Sequence, residues 1–305
     1  MKIVENRVMI TTKEIDSFNE YLNYELDYSI LTIKGYNDEI TKFLNYCKEH
    51  KIDYKKISND NIRKYLKYLD NLKYSKSSIS RNLSSIRTYY KYLLDKKIVD
   101  NNPFKSISNP KKDKKLPNFL NYEEIMKIFD SIDEEKILGK RDRCIVEVLY
   151  DTGVRVSELV NIKIKDIDFN EKTISIFGKG RKERIVYFGD YLYDVLNDYI
   201  NNCRKILLSN KSCEYLILNS KGSQITTRGV EKIIDKVVKD ASLRHKISPH
   251  VLRHTFATHM LNGGSDIKTI QQLLGHESLS TTGIYTHISN DVLRSEYLKN
   301  HPRSR

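Results

Sequence analysis

Apolar residues recur at steps of three and four in the first third of the chain, which is the spacing of amphipathic helices. Three segments show this spacing most clearly: residues 32–47, 62–69 and 79–94. The pattern predicts an all-helical N-terminal domain over residues 11–100.

The third of these segments has the clearest separation of apolar and polar faces. Six residues form one stripe that is expected to face the core: Ile79, Leu83, Ile86, Tyr90, Leu93 and Leu94. Arg81 and Lys91 then project from the opposite side and Arg87 flanks the stripe, because side chains follow the 3.6-residue repeat of the helix.

Residues 101–117 break the helical pattern. The segment NNPFKSISNPKKDKKLP carries three of the five prolines of the chain and a KKDKK charge run, without periodicity. Stretches of this composition are typical of extended linkers. We therefore expect a linker here and a second domain over residues 118–305, since 305 residues exceed what one compact core usually holds.

The second domain combines helical patterns with one alternating stretch. In TISIFGKGRKERIVYF, apolar residues at Ile174, Ile176, Ile185 and Tyr187 flank a glycine-rich basic tip, which indicates a β-hairpin or short antiparallel sheet. The predicted fold class is therefore mainly α, with a small antiparallel β-sheet in the C-terminal domain.

The charge balance gives the first functional indication. The chain carries 53 Lys and Arg against 40 Asp and Glu, a formal net charge of +13. Residues 1–110 hold +6 (20 basic, 14 acidic), residues 111–116 hold +3 (4 and 1) and the rest hold +4 (29 and 25). A basic excess in both domains that peaks between them favours a protein that wraps nucleic acid like a clamp. An acidic membrane face and simple solubility are the alternatives.

Membrane insertion and secretion are not expected. No apolar run approaches the roughly 20 residues of a membrane span, and the N-terminus lacks the apolar core of a signal peptide. We expect a cytoplasmic protein.

The string YDTGVRVSELVNI contains the first candidate for chemistry. Gly153 breaks an apolar helix, and Arg155 precedes a new helical pattern that runs through Leu159. Arg155 would thus lie at a rigid turn beside a helix N-terminus, whose free N–H groups attract phosphate. Alternatively, this arginine only caps the helix or pairs with Glu158.

The string SPHVLRHTFATHMLNGG predicts a helix with an N-cap at Ser248, proline at its first position and a stop at Gly263. His250 and Arg253 are three positions apart and so leave the same face near its N-terminal end. A histidine can shuttle protons, and an arginine can bind two oxygens at once. Zinc binding is the rival interpretation, but no HExxH pattern accompanies these residues, and we expect no metal site.

Two further strings contain the remaining candidates, which are His276, Tyr285 and Lys179. SDIKTIQQLLGHESLSTTGIYTHI predicts a helix from a cap at Ser265 to Gly275, with His276 just beyond it and Tyr285 on a second short helix. A tyrosine alone carries no information in a chain with 21 of them. Lys179 stands at the glycine-flanked hairpin tip, although basic tips are often mere surface.

Together these residues supply what phosphoryl transfer without a metal requires. Arg155 and Arg253 could clamp the non-bridging oxygens of a phosphate and stabilise the charge that grows in the transition state. A phenol with a pKa near about 10 is a poor nucleophile, so Tyr285 needs the base and the electropositive pocket that His250 and the arginines offer. No acidic cluster with magnesium-binding spacing accompanies the set, which argues against a two-metal nuclease.

One ordered set of side chains is recognisable: Arg155, Lys179, His250, Arg253, His276 and Tyr285. With the strings TGVRVSEL, GKGRKER, HVLRHTFATH, LLGH and IYTH, it resembles the active-site signature of the tyrosine recombinase (phage integrase) family at six of six positions. The strings SILTIKGYNDEITKFLNYC and SISRNLSSIRTYYKYLL resemble the N-terminal core-binding domain of that family. The length, the absence of an arm-binding domain before residue 11 and the ending YLKNHPRSR are most similar to Xer site-specific recombinases.

The resemblance implies a four-helix, SAM-like core-binding domain followed by an α-rich catalytic domain. It implies site-specific recombination through a 3′-phosphotyrosyl intermediate and a Holliday junction, without a cofactor. The partners would be double-stranded DNA recombination sites and a tetramer, of this chain alone or with a paralogous recombinase, in which the segment after Tyr285 docks into a neighbouring subunit. Chromosome dimer resolution at the nucleoid, with a DNA translocase as regulator, is the expected process.

We assign each candidate residue a role in the cleavage reaction. The assignments are Tyr285 as nucleophile, Arg155 and Arg253 as phosphate clamps, His250 as general base and later acid, Lys179 as the acid for the leaving 5′ oxygen, and His276 as transition-state donor. Glu158 is expected to orient His250 or Arg155.

Several alternatives stay open at the level of sequence. An integrase of a phage or mobile element would use the same chemistry, a type IB topoisomerase would relax DNA without choosing a site, a metallonuclease would lose activity in EDTA, and a non-catalytic DNA-binding protein could keep the fold. Candidate DNA contacts outside the catalytic set are Arg81, Arg87, Lys91 and Arg181, with solvated charge as the alternative for each.

Overall fold

The protein is seen here in a computed structural model, which describes residues 12–26, 28–110, 119–178, 183–243, 247–275 and 289–304. The chain divides into two compact units, Met1–Lys114 and Lys115–Arg305. Both are mainly helical and the second contains a small antiparallel sheet, so the predicted fold class is confirmed.

Four α-helices build the first unit over its described residues, 12–26 and 28–110. They are α1 (Thr12–Glu20, continued by a π-helical turn over Tyr21–Glu25), α2 (Ile30–Glu49), α3 (Asn59–Asn71) and α4 (Lys76–Asp95). Ser29, Ser58 and Ser75 cap the last three of them, each with its hydroxyl accepting a hydrogen bond from the backbone N–H three residues on. The three helices predicted from the apolar spacing are thus confirmed.

The core of this unit is rich in aromatic side chains, several of which pack edge to face. Buried rings include Phe18, Phe43, Tyr65, Tyr89 and Tyr90. Five of the six residues of the predicted stripe on α4 are buried, but Leu94 is 39% exposed, so the prediction for Leu94 is wrong. The stripe narrows at the last turn of the helix, and Val99 and Phe104 beyond it are buried in the same core.

The second unit packs around the largely buried helix α6. Its helices are α5 (Tyr122–Asp130), α6 (Ile137–Thr152), α7 (Val156–Leu159), α8 (Asp190–Asp198, continued by a π-helical turn over Tyr199–Cys203), α9 (Arg204–Leu208), α10 (Thr227–Asp240), α11 (Pro249–Asn262), α12 (Ile267–Leu274) and α13 (Asn290–Asn300). Helix α6 packs against α8, α10 and α11. This contact leaves its C-terminal end next to α11, the helix that carries two of the candidate residues.

The sheet consists of β1 (Ile167–Asp168), β2 (Thr173–Phe177) and β3 (Glu183–Tyr187), all antiparallel in the order β1-β2-β3. Strands β2 and β3 pair with Ile174 opposite Val186 and Ile176 opposite Arg184. Because paired residues share a face, Val186 and Arg184 lie on the buried side of the hairpin. Ile185, paired with Ser175, lies on the other face of the hairpin and is 37% exposed.

The C-terminal segment, residues 289–304, packs against its own unit in the single chain. Tyr297 of α13 is buried with Phe256 and Met260 of α11. Beyond the helix, Arg303 donates hydrogen bonds of 2.5 and 3.2 Å to the two carboxylate oxygens of Glu147 on α6. The docking of this segment into a neighbouring subunit, which the family resemblance implies for an assembled tetramer, stays a prediction.

No helix in the described part of the chain is long and apolar enough to cross a membrane.

Candidate active site

Gly153 shapes the turn that presents Arg155. It ends α6 in the left-handed conformation with φ of +62°. A Cβ atom here would lie 2.6 Å from Cδ1 of Phe256 and 2.8 Å from Cδ2 of Leu274, so a side chain does not fit. The predicted helix stop at Gly153 is confirmed, and Arg155 follows as the N-cap of α7 with its side chain 39% exposed.

Glu158 holds this turn in place from inside. Its Oε2 accepts the backbone N–H of Arg155 at 2.7 Å, and its Oε1 accepts from Nη1 of Arg155 at 2.9 Å. The side chain of Glu158 is only 6% exposed. Glu158 therefore orients Arg155 directly, which was one of the two alternatives predicted for it.

Arg253 enters the same region from α11. Its Nη1 donates to the backbone carbonyl of Gly153, and its Nη2 donates to that of Leu274 at 2.7 Å. The residue is 7% exposed. Two of its five N–H groups are thus used to join the end of α6 to the end of α12, and they hold the guanidinium in one orientation.

Arg184 is a member of this cluster that sequence analysis missed. From the inward face of β3 it donates from Nη1 to Oε1 of Glu158 at 2.9 Å and from Nη2 to Oε2 at 2.8 Å. The available signal was the alternation along the strand, since Arg184 lies two residues before Val186 and so shares its face, but which face is buried depends on the pairing with β2.

The cluster carries more positive than negative charge. Three guanidiniums, of Arg155, Arg184 and Arg253, lie around the single carboxylate of Glu158. Burial alone would raise the pKa of Glu158, but hydrogen bonds from Arg184 and from the Arg155 backbone bring it down to about 2. Burial and the charge of Arg155 lower the pKa of Arg253 to about 10, so Arg253 stays charged at neutral pH. These four side chains therefore form a positively charged recess suited to an anion.

His250 lies on the first turn of α11, three residues before Arg253, and is exposed. The predicted frame of this helix is confirmed, with Ser248 at the N-cap, Pro249 first and Gly263 at the C-cap. Lys179, Arg181, His276 and Tyr285 lie outside the described residues.

The helix before His276 begins one residue later than expected. Asp266, rather than Ser265, caps α12 and accepts the backbone N–H groups of Lys268 and Thr269. Ser265 is buried and accepts a hydrogen bond from Asn300. The helix ends at Gly275 with φ of +64°, as predicted, so the chain turns sharply just before His276.

In the first unit the predicted DNA contacts differ in their surroundings. The side chain of Arg81 is 72% exposed beside a shallow groove lined by Ser77, Ser80, Ser84, Asn109 and Pro110. Lys91 is also exposed. Arg87 instead donates to the carbonyls of Phe104 and Ile107 and to the side chain of Asn109, so it fastens the segment that follows α4. A direct contact of Arg87 with DNA stays a prediction.

Within the described ranges, no group of three or more His, Cys, Asp or Glu side chains could hold a metal ion.

Comparison with known proteins assigns the class. A model of the phage integrase family matches residues 118–291, and a model of the phage integrase N-terminal SAM-like domain matches residues 15–97. The chain belongs to the phage integrase family, and within it the chain is a tyrosine site-specific recombinase.

Within that family the chain is of the Xer type, as the resemblance predicted. It is 43% identical over 293 residues to the tyrosine recombinase XerC of Oceanobacillus iheyensis, covering 95% of this chain and 96% of the relative. It is 41% identical over 290 residues to the XerC of Bacillus licheniformis, covering 94% and 95%.

Solved structures agree with this assignment. The XerH site-specific recombinase bound to a palindromic difH substrate aligns with a TM-score of 0.71 and 26% identity over 96% of this chain and 88% of the other. A dimer of lambda integrase (75–356) bound to a core site aligns with a TM-score of 0.67 and 18% identity over 90% and 98%, which supports the fold alone.

Proposed function

We propose that this chain cuts and rejoins double-stranded DNA at specific sites, with Tyr285 as the nucleophile and a 3′-phosphotyrosyl intermediate. The observation that carries the proposal is the arginine recess, in which two fixed guanidiniums and one half-exposed guanidinium surround one carboxylate. A scissile phosphate is the anion that such a recess would bind in a DNA recombinase. The phosphotyrosyl bond keeps the energy of the phosphodiester, so rejoining needs no ATP.

The mechanism follows from what each described side chain can reach. Arg155 has four N–H groups that are not bonded to Glu158, and Arg253 has three that are not bonded to Gly153 or Leu274. Both can donate to the non-bridging oxygens and stabilise the extra negative charge of the transition state. His250, exposed one turn away, serves as base for the Tyr285 hydroxyl and then returns the proton. Lys179 protonates the leaving 5′ oxygen and His276 adds a hydrogen bond.

We also propose a division of the chain into two domains and a linker. Residues 11–100 form the core-binding domain, residues 101–117 the linker and residues 118–305 the catalytic domain. The structures of recombinases bound to DNA, one of them a lambda integrase tetramer on a Holliday junction, support a tetramer on two DNA sites and exchange through such a junction. The process that we propose for this chain is chromosome dimer resolution. A paralogous recombinase and a DNA translocase are the further partners that this process would use.

Site choice is the sharpest test of the function. Purified protein would be incubated in EDTA with nicked genomic fragments of its own organism, and fragments bound covalently under denaturing conditions would be sequenced. We expect one inverted-repeat site to be recovered, and a plasmid with two copies of that site to be resolved. Relaxation of every plasmid regardless of sequence would instead identify a topoisomerase, and loss of all cleavage in EDTA a metallonuclease.

Replacing Arg155 by Ala should slow DNA cleavage by about 10²–10³-fold, because one transition-state donor is lost. Arg155 is a better target than Arg253, since its side chain is 39% exposed and its removal leaves the bonds of Arg253 to two backbone carbonyls intact. Single-turnover cleavage of a nicked site would be compared with binding of the same DNA, which should change little. An unchanged cleavage rate would remove Arg155 from the site.

The exposed cations of α4 should act on binding rather than on cleavage. Replacing Arg81 or Lys91 by Ala should weaken DNA binding. It should also make the decline of the logarithm of the binding constant with the logarithm of the salt concentration less steep, by about 1 for each lost phosphate contact. Lys67 on α3 is an exposed control of the same charge as Lys91. Equal effects of Lys67→Ala and Lys91→Ala on that slope would show that α4 is not a specific contact surface.

A further inference from the structure

Arg184 is a charged residue at a largely buried position. It lies on the inward face of β3, opposite the buried Ile176, and its side chain is only 16% exposed. Burying a guanidinium carries a desolvation cost that only a well-placed counter-ion offsets. Here the counter-ion is Glu158, which the proposed function already places behind Arg155.

Glu158 is shared unequally between its two arginines. Arg184 binds both carboxylate oxygens with parallel hydrogen bonds of 2.9 and 2.8 Å, which is the strongest arrangement for such a pair. Arg155 uses a single guanidinium N–H for the same carboxylate, at 2.9 Å. The charge of Glu158 is therefore balanced mainly by Arg184, and most of the Arg155 guanidinium remains available.

Removing Arg184 would change this division. The buried carboxylate would keep Arg155 as the one guanidinium bonded to it in the described part of the chain, and it would draw Arg155 into a closer pairing. The net charge of the cluster formed by the three arginines and Glu158 would also fall from +2 to +1. Both changes would weaken the stabilisation of the negative charge that develops on the phosphate in the transition state.

Packing ties Arg184 to a second part of the site. A Cβ atom on Gly275 would lie 2.8 Å from Cδ of Arg184, so the arginine stem runs directly beside this glycine. Gly275 is the residue before His276. The stem of Arg184 thus borders the point where the chain leaves α12 toward His276.

We propose that Arg184 is a positioning residue that neutralises Glu158 and so leaves Arg155 free to bind the scissile phosphate. The inference rests on the proposed function, because it assigns Arg184 a task within that same site.

The test is a pair of substitutions that separates positioning from folding. Arg184→Gln removes the counter-ion, and Arg184→Gln combined with Glu158→Gln removes the competing carboxylate as well. We expect the single variant to bind the nicked site with unchanged affinity and to cleave it at least about tenfold more slowly in a single turnover, since a transition-state donor is diverted. The double variant should recover much of that rate, because the excess charge returns to two.

Arg294→Gln is the matched control, since Arg294 forms an exposed ion pair with Glu171 in the same unit. It should cleave at the wild-type rate. If thermal unfolding shows that Arg184→Gln does not fold, Arg184→Lys takes its place, because lysine keeps the charge but lacks the planar pair of donors. That variant should also cleave more slowly, and Glu158→Gln should again restore cleavage.

The outcomes are distinguishable. A wild-type rate in the folded Arg184 variant, or a double variant as slow as the single one, would overturn the role of Arg184. If the wild-type protein and Arg294→Gln form no covalent adduct on any site, the proposed function fails instead.

Discussion

Tyr285→Phe should abolish the covalent protein–DNA adduct and leave DNA binding intact. The substitution removes one oxygen atom, and that oxygen is the proposed nucleophile. Because the arginine recess, His250 and the α4 surface are unchanged, the variant should still bind and pair its sites. Denaturing gels of reactions on a nicked site, on which the cleaved product cannot be rejoined, should show a trapped complex for the wild type and none for the variant.

The control for this experiment is a second tyrosine of the same unit. Tyr122 on α5 is 47% exposed and has no place in the proposed mechanism, so Tyr122→Phe should form the adduct at the wild-type level. Trapped complexes with Tyr285→Phe would contradict the assignment, and a different tyrosine found on the DNA by peptide mapping would replace it.

Sequence alone predicts the parts of the site that local rules determine. Gly153, Pro249, Gly263 and Gly275 mark the ends of helices in the sequence and do so in the structure. Left-handed turns favour glycine at Gly153 and Gly275, and the first helical position favours proline at Pro249. Gly263 ends its helix with φ of −71°, at a point where a Cβ atom would clash with the carbonyl oxygen of Asn300. The positions of Arg155 and of the pair His250 and Arg253 on their elements follow from these boundaries.

The environment of the site depended on register and tertiary packing, which local rules do not determine. Whether Arg184 or its neighbour Ile185 faces inward depends on strand pairing, and the pairing of Ile176 with Arg184 turns that arginine toward Glu158. Likewise, the cap of α12 moves from Ser265 to Asp266 because Ser265 is buried and bonded to Asn300, 35 residues further along the chain. Such shifts of one residue decide which side chains meet.

Helix α6 shows the same limit over a longer range. Glu147 and Asp151 are both fully buried in the second half of this helix. Arg143, one turn earlier, pairs with Glu147, but other partners come from the far end of the chain: Arg303 binds Glu147, and Nδ1 of His301 lies 3.1 Å from Oδ1 of Asp151. The sequence indicates the pair within the helix, but only the fold shows the partners at residues 301 and 303.

The second large effect concerns this C-terminal contact. Arg303→Met should lower the free energy of unfolding of the second unit by about 3–5 kcal/mol at about pH 9, because it leaves the buried Glu147 carboxylate short of its main counter-ion. The side chains of Arg303 and Glu147 are 4% and 0% exposed, so water cannot take the place of the arginine. Arg143, the other cation at this carboxylate, remains.

The loss should depend on pH with a definite sign. Burial raises the pKa of Glu147 to about 7, although the charges of Arg303 and Arg143 act to lower it and Asp151 acts to raise it. A carboxyl whose pKa is higher in the folded chain than its ordinary 4.5 stabilises the fold while protonated, and this contribution is lost as the pH rises through about 7. Without Arg303 the pKa of Glu147 rises further, so the decline extends to higher pH. The gap between variant and wild type should therefore be small at about pH 5 and largest at about pH 9.

Urea unfolding of the full chain at these two pH values would measure the gap. Arg294→Met is the control from the same C-terminal segment, because Arg294 and its partner Glu171 are 40% and 62% exposed, and such pairs are worth at most about 1 kcal/mol. Combining Arg303→Met with Glu147→Gln should recover most of the lost stability, since the unpaired charge is removed along with its partner. A loss of equal size at both pH values, unrelieved by Glu147→Gln, would mean that Arg303 stabilises the fold through its packing on the rings of Phe129 and Tyr191 instead.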